Sequence, residues 1–312
     1  MSRTTRLILT LLPLVLLVAL LGYAVFAMLD VQKLTLETTG PAEPAVQTAD
    51  PGTAKPLNPA APLIIAETLE PTGSRAKRGT IVFDMAHSEV FGPQDTSELG
   101  QSKAVARMRD AGYAVRVTTE RVSAKTLDPS VVAVFLPGPM VPLSDGERTA
   151  LDDFVRRGGT MIMTIHVPFP ILGTPARYGL PVGTGVMVDP TAQGNPGIWD
   201  TKVIKEDPVT KGVGILSVVS GWSVSTSKSE IADPRIVIEA PKGVVVDVND
   251  DGVFDGKDPQ PPYGVVGVAA IGSGQVVVLG DDAIFANVAI DSNDNAKLLD
   301  NLLELVSAPK PT

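Results

Sequence analysis

The sequence contains no cysteine, and this absence excludes several kinds of structure and chemistry. Disulfide bonds, zinc sites built from thiolates and a cysteine nucleophile all require that residue. Three catalytic patterns are missing as well: the G-x-S-x-G serine elbow, the phosphate-binding P-loop and the H-E-x-x-H zinc motif. Positive charge is scarce, since the net charge is −9, and a surface that binds nucleic acid must be basic to neutralise phosphates. We therefore expect no nucleic-acid partner.

One long apolar run is present near the N-terminus. It extends from Leu7 to Leu29, and at ~1.5 Å per residue it is long enough to cross a bilayer as a helix. Arg3 and Arg6 precede the run and Asp30 follows it, a pattern that places the N-terminus inside and the rest of the chain outside. We expect residues 1–29 to anchor the protein in the cell membrane as a single-pass transmembrane helix. A cleaved signal peptide is the alternative.

The next segment, residues 30–78, is rich in proline and alanine and is predicted to be a linker. Such a composition cannot bury enough apolar surface to fold alone. Its stretch Leu63–Ala66 is apolar, and we expect this stretch to join the following domain as a short edge strand. The rest of the linker is expected to hold that domain outside the cytoplasm, away from the membrane.

Residues 79–307 show apolar strands that alternate with amphipathic helices. The first strand begins at Thr80 and is followed by a helix over 97–111, and Ser144 and Glu147 have the spacing of a capping box that begins a second helix. This order predicts an α/β domain with a mostly parallel sheet flanked by helices. Further predicted elements are strands at 113–118, 131–136, 160–165, 236–240, 243–248, 264–270 and 275–280, and a final helix at 295–307.

The two histidines each follow an apolar strand. His87 lies three residues after Asp84, and Asp281 and Asp282 follow a later strand. The carboxyl ends of parallel strands lie at one edge of a sheet, where ligands collect, so we expect these side chains and His166 to face one shared cleft. Such a group can bind a ligand by hydrogen bonds, hold a metal or transfer protons. The alternative is that they cap strand ends and attach loops to the sheet.

The sequence from Asp247 to Asp258 has the spacing of a calcium loop. Oxygen ligands at positions one, three, five, seven, nine and twelve would converge on a Ca²⁺ ion, with a sharp turn at Gly252. The loop resembles those of dockerin-type and EF-hand-like repeats, although a strand precedes it and an aspartate replaces the usual last glutamate. An acidic turn without metal is the alternative. The expected ligands are Asp247, Asn249, Asp251, the carbonyl of Val253, Asp255 and Asp258.

Four segments of the domain resemble the class I glutamine-amidotransferase-like superfamily, especially its membrane-associated domains of unknown function and its ThuA-like branch. They read FDMAH, FVRRGGTMIMTIH, DPVTKGV and GDDAIFAN, in that order along the chain. The resemblance implies a flavodoxin-like fold in which His166 occupies the elbow that holds the cysteine of true amidotransferases. Because the sequence has no cysteine, the resemblance does not imply the amidotransferase reaction.

Two functions remain open after these observations. The first is a membrane-anchored, extracytoplasmic binding or scaffold domain without catalysis, which has a structural calcium site and a carbohydrate or protein partner. The second is a carbohydrate-active hydrolase or isomerase that uses the histidines and aspartates at the edge of the sheet. Trp199 and Trp222 lie in the irregular region 167–229 and would offer a surface for sugar stacking in either case. The missing nucleophile favours the first function.

Overall fold

The computed structural model describes residues 66–72, 77–248, 254 and 258–306, all within one unit, Pro59–Thr312. The predicted anchor at residues 1–29 lies outside the described residues. None of the described helices has the length and apolar composition needed to cross a bilayer. The elements are β1 (Glu67–Leu69), β2 (Gly79–Asp84), α1 (Ser102–Asp110), β3 (Tyr113–Thr118), β4 (Val131–Pro137), α2 (Asp145–Arg156), β5 (Thr160–Thr164), α3 (Gly173–Arg177), β6 (Val182–Val188), β7 (Ile198–Thr201), β8 (Val203–Ile204), β9 (Leu216–Val219), β10 (Trp222–Val224), β11 (Asp233–Glu239), β12 (Val245–Val246), β13 (Gly264–Ile271), β14 (Gly274–Leu279) and α4 (Asn295–Leu305).

Five parallel strands form the centre of the sheet, in the order β3-β2-β4-β5-β14. Numbered along the chain, this order is 2-1-3-4-5, the order of flavodoxin-like sheets. Helices α1 and α4 pack on one face of the sheet, and α2 packs on the other. The predicted α/β class, with a mostly parallel central sheet flanked by helices, is confirmed.

The sheet continues beyond β14 with antiparallel strands. β13 and β14 form a hairpin through the turn at Gly272 and Ser273, and β10, β6 and β12 follow in order. β11 and β8 extend the sheet from β13, and β7 pairs with β9 separately. The region 167–229 was predicted to be irregular, but it contains α3 and β6 to β10. Four of these five strands have two to four residues, too few to show an alternating pattern.

Several predicted boundaries differ from the structure by a few residues. An edge strand, β1, is antiparallel to β3, while residues 63–65 of the apolar stretch predicted to form such a strand lie outside the described residues. An edge strand is held by backbone hydrogen bonds, so exposed polar residues suit it. Helix α1 begins at Ser102 and not at residue 97, because Gly100 packs directly against the carbonyl of Asp95 in a tight loop. The backbone N–H of Ser97 donates to the Asp95 carboxylate in the same loop.

Helix α2 begins with the predicted capping box. Ser144 Oγ accepts a hydrogen bond from Glu147 N, and the Glu147 carboxylate accepts one from Ser144 N. The helix is followed by Gly158, whose φ of 113° is strained for any residue with a Cβ. The capping box thus begins α2 shortly after β4 ends, and Gly158 ends the helix just before β5 begins.

Candidate functional site

The carboxyl ends of β2 and β4 form the switch point of the sheet. After β2 the chain passes through α1 to β3 on one side, and after β4 it passes through α2 to β5 on the other. Flavodoxin-like sheets bind ligands at this position, because the loops diverge and leave a crevice. Here the backbone N–H groups of Met140 and Val141 both donate to the carbonyl of His87, at 2.8 and 2.9 Å. These bonds tie the loop after β4 to the loop after β2.

The imidazole of His87 fills this crevice. Its side chain is 0% exposed, and its two ring nitrogens have different carboxylate neighbours. Nδ1 lies 2.5 Å from Asp84 Oδ2, and Nε2 lies 2.9 Å from Glu147 Oε1. Glu89 also turns back to this group, since its Oε2 accepts a hydrogen bond from His87 N at 2.9 Å and its Oε1 lies 3.9 Å from Nδ1. We call Asp84, His87, Glu89 and Glu147 the His87 cluster.

The charges in the His87 cluster influence one another because all four groups are buried. Burial lowers the pKa of His87, but the carboxylates of Asp84, Glu147 and Glu89 raise it, and the pKa ends above its ordinary value. Burial raises the pKa of Glu89 to about 8, and the charge of Asp84 adds to this effect. Burial also raises the pKa of Glu147, but hydrogen bonds from Ser144 and Arg121 and the charge of His87 bring it below its ordinary value.

Two oxygen atoms in the His87 cluster have no hydrogen-bond partner. They are Asp84 Oδ1 and Glu89 Oε1, and both are buried. In contrast, Oε2 of Glu147 accepts hydrogen bonds from Ser144 N at 2.8 Å, Ser144 Oγ at 2.6 Å and Arg121 at 3.0 Å. The Glu147 carboxylate, on the side of α2, therefore has its hydrogen-bond partners, whereas one oxygen of Asp84 and one of Glu89 have none.

His166 forms a second group beyond the end of β5. Its Nδ1 lies 3.0 Å from Asp282 Oδ2, its side chain is 27% exposed, and the Phe91 ring meets the imidazole edge-on at 5.3 Å. Burial lowers the pKa of His166, but the charge and hydrogen bond of Asp282, together with the charge of Asp281, outweigh burial and raise the pKa above its ordinary value. Gly138 lies against this pair with a φ of 65°, and a Cβ there would come within 2.8 Å of His166 Cβ.

Asp281 lies beside this pair but is tied to the backbone. Its carboxylate accepts hydrogen bonds from Val219 N at 2.6 Å and Ala283 N at 2.8 Å. Burial and the charge of Asp282 raise its pKa to about 8, although the two amide donors act in the opposite direction. Asp281 therefore joins the end of β14 to β9 and offers no free oxygen to a ligand.

The five residues predicted to share a cleft thus lie at one edge of the sheet in two groups. Asp84 belongs with His87, and Asp281 and Asp282 belong with His166. Within the described part of the chain, no hydrogen bond or ion pair joins the two histidines. The sequence reasoning missed Glu89 and the second role of Glu147, which was recognised only as a helix cap.

The ends of the predicted calcium loop are described, but its centre is not. Asn249, Asp251, Val253 and Asp255 lie outside the described residues. Asp258 is buried, and its Oδ1 accepts a hydrogen bond from Val248 N at 3.1 Å. β12, just before the loop, pairs with β6. The two ends of the loop are therefore close together at the end of a strand pair.

The two tryptophans are part of the fold. Trp199 is buried in the core, and its indole N–H donates to the carbonyl of Met187 at 3.2 Å. The indole N–H of Trp222 donates to the carbonyl of His166 at 2.9 Å. Trp199 is thus unavailable for stacking on a sugar, whereas Trp222 holds the backbone of the His166 group in place.

Solved structures show what this fold is similar to. The N-terminal domain of mmIFT52 is 15% identical, with a TM-score of 0.58, over 74% of this chain and 100% of that one. A ThuA-like protein from Bacteroides uniformis is 14% identical, with a TM-score of 0.42, over 76% and 97%. A cytoplasmic protein from Salmonella typhimurium is 10% identical, with a TM-score of 0.48, over 73% and 99%. At 15% identity, the likeness to the mmIFT52 domain, whose TM-score exceeds 0.5, shows the fold alone.

Comparisons at the sequence level give one family. No curated protein matches the chain. The model of the family described as "Domain of unknown function (DUF4350)" matches residues 93–303, which include α1 to α3, most of α4, and His166 with Asp281 and Asp282. The match covers more than half of the 312 residues. The chain therefore belongs to the DUF4350 family.

Proposed function

We propose that the chain is a membrane-anchored domain outside the cytoplasm that binds a carbohydrate or protein partner without catalysing a reaction. The observation that carries the proposal is the burial of His87. A general acid or base must come within hydrogen-bond distance of its substrate. His87 lies at the switch point, where a flavodoxin-like fold would bind its ligand, but it is 0% exposed and both its nitrogens lie at carboxylates of its own chain.

The anchor in this proposal rests on the sequence of residues 1–29 alone. The apolar run from Leu7 to Leu29 has enough length for one crossing, and the arginines before it favour an N-terminus inside. The family domain would then lie outside, at the end of the proline-rich linker. A calcium ion in the 247–258 loop would hold the strand pair β6 and β12 to the loop that follows them.

One observation favours a second function, a hydrolase or isomerase that acts on carbohydrate. The His166 imidazole is partly exposed and is oriented by Asp282 at 3.0 Å. A carboxylate that fixes the tautomer of a histidine is a common arrangement for proton transfer. The second function differs from the first in one testable respect, because it requires turnover that depends on this pair.

The first experiment tests the topology. Protease added to intact cells that express the full chain should remove the domain, and the same treatment after lysis should give the same fragments. The matched control is a variant in which Arg3 and Arg6 are replaced by glutamine, which weakens the charge difference that orients the segment. Complete protection of the domain in intact cells with an accessible control protein would refute the proposal.

The second experiment separates binding from catalysis. The purified chain is incubated with a panel of aryl glycosides and free sugars, and hydrolysis and isomerisation are measured for the wild type, His166→Gln and Asp282→Asn. Asp291→Asn, an exposed change that keeps the His166 group intact, is the control. The binding proposal expects equal background rates in all four proteins. Turnover that is lost in His166→Gln and Asp282→Asn and kept in Asp291→Asn would establish the second function instead.

A further inference from the structure

Three residues of the His87 cluster are arranged as ligands of a metal ion. Asp84, His87 and Glu89 are all buried, and each offers one ligand atom within 4.8 Å of the others. Two of the available atoms, Asp84 Oδ1 and Glu89 Oε1, have no hydrogen-bond partner. A buried carboxylate oxygen without a partner is costly, so the fold gains stability if a cation occupies the space between them. We propose that Asp84, His87 and Glu89 bind a divalent transition-metal ion, with Zn²⁺ as the preferred ion.

The outer contacts of His87 fit this assignment. A histidine that binds a metal through one ring nitrogen usually donates its other N–H to a carboxylate, which fixes the tautomer. With Nδ1 on the metal, Nε2 would donate to Glu147 Oε1, which already lies 2.9 Å away. Glu147 is itself held by Ser144 and Arg121. The imidazole is thus oriented before a metal arrives.

The charges also balance with a divalent ion. The carboxylate of Glu147 is paired with the guanidinium of Arg121 at 3.0 Å. Asp84 and Glu89 then remain as two buried acidic groups beside one imidazole, with no other Lys or Arg paired to them among the described residues. Asp84 is paired with His87, and a divalent ion in the site would bind both carboxylates directly. One Zn²⁺ ion would neutralise both carboxylates.

The backbone and the ligand types narrow the choice of ion. Ser88 has a φ of 60°, an unusual value for a residue other than glycine, and it turns the chain so that Glu89 returns to His87. Imidazole suits Zn²⁺, whereas Ca²⁺ takes oxygen ligands, so this site differs from the 247–258 loop. His87 Nδ1 lies 2.5 Å from Asp84 Oδ2, so this hydrogen bond must open when Nδ1 binds the ion and Asp84 binds it through Oδ1.

The experiment measures zinc in the full, untagged chain. The protein is refolded with excess Zn²⁺, dialysed against a weak chelator and analysed for zinc per chain by mass spectrometry, and the affinity is measured by competition. We expect about one zinc ion per chain. Glu89→Gln should lower the affinity by at least ~10-fold, and Glu147→Gln, which keeps the size of the outer partner but removes its charge and one acceptor oxygen, should lower it by about 10–100-fold.

Two control variants separate this site from the other acidic groups. Asp282→Asn alters the His166 group, and Asp247→Asn alters the predicted calcium loop. Both should keep the zinc ion and its affinity. If either control loses the ion while Glu89→Gln keeps it, zinc binds elsewhere and the proposal is wrong.

A measurement on the wild-type protein covers the case in which a variant fails to fold. X-ray absorption at the zinc edge should show one imidazole nitrogen and carboxylate oxygens at ~2.0–2.2 Å. A zinc ion without imidazole, or with two, would overturn the proposal. A wild-type chain that retains no zinc after refolding would also overturn it, and protons would then balance the charges of Asp84 and Glu89.

Discussion

Removal of the Ser144 hydroxyl should destabilise the fold by more than a helix cap alone. In Ser144→Ala the cap bond from Glu147 N is lost, a change that costs ~1 kcal/mol on average. The hydrogen bond from Ser144 Oγ to Glu147 Oε2, 2.6 Å long, is lost as well, and a bond to a charged group contributes ~1.5–3 kcal/mol. Glu147 Oε2 keeps Ser144 N and Arg121 as donors, so part of this second loss is recovered. We expect a total loss of ~2–3 kcal/mol.

The assay is urea denaturation together with the melting temperature. For a domain of this size ~1 kcal/mol shifts the melting temperature by ~2–4 °C, so Ser144→Ala should melt about 4–12 °C lower than the wild type. Thr149→Ala is the matched control, since Thr149 is an exposed hydroxyl residue of the same helix whose Oγ donates only to Asp145 O. The control should change the free energy of unfolding by less than ~0.5 kcal/mol. Equal losses in the two variants would refute the coupling of the cap to the His87 cluster.

Three further predictions test the glycine at the edge, the buried aspartate and the calcium loop. Gly138→Ala should be destabilising by at least ~1 kcal/mol in thermal unfolding, because it adds a Cβ at positive φ against a neighbouring side chain. Gly146→Ala, in the first turn of α2 where a Cβ meets no neighbour, should be stabilising by up to ~0.5–1 kcal/mol. Asp281 has a pKa of about 8 in the fold, above its ordinary value, so its stabilising contribution is complete at acid pH and is lost as the pH rises through about 8. Urea unfolding at pH 5 and pH 9 should show this loss of stability in the wild type. The stability of Asp281→Asn should change less between the two pH values. Calcium at ~100 times its dissociation constant should stabilise the wild type by ~2.7 kcal/mol. An equal melting temperature in chelator and in millimolar calcium would show that the 247–258 loop is an acidic turn that binds no calcium. Asp247→Ala combined with Asp251→Ala should abolish the calcium effect.

Local signals explain why the parallel centre of the sheet could be predicted. The strand at Tyr113–Thr118 was predicted with the bounds it has in the structure, because Gly112 ends the helix before it with a φ of 98°. The capping box at Ser144 and Glu147 is likewise complete within four residues. In each case the sequence neighbours themselves supply the interactions that define the element.

The short antiparallel strands, their pairing and the glutamates of the His87 cluster could not be predicted, because they depend on distant residues. β6 pairs with β10 and β12, which are far apart in the sequence and have only three and two residues. Glu89 stands in a polar loop, where an acidic residue normally faces water. Only the fold shows that Glu89 and Glu147, on either side of the switch point, reach the same imidazole.

The two histidines have the same relation to their strands, yet their surroundings give them different chemistry. His87 lies between β2 and β4 beneath the start of α2, so carboxylates from two elements enclose it and exclude solvent. His166 lies between β5 and β14, where the neighbour at the end of β4 is Gly138, which has no side chain to cover the ring. A closed group of this kind suits a bound cation, which needs fixed ligands and dry surroundings. An open pair suits exchange with solvent or a ligand, so any contact with a partner at this edge should depend on His166 and leave the His87 cluster unchanged.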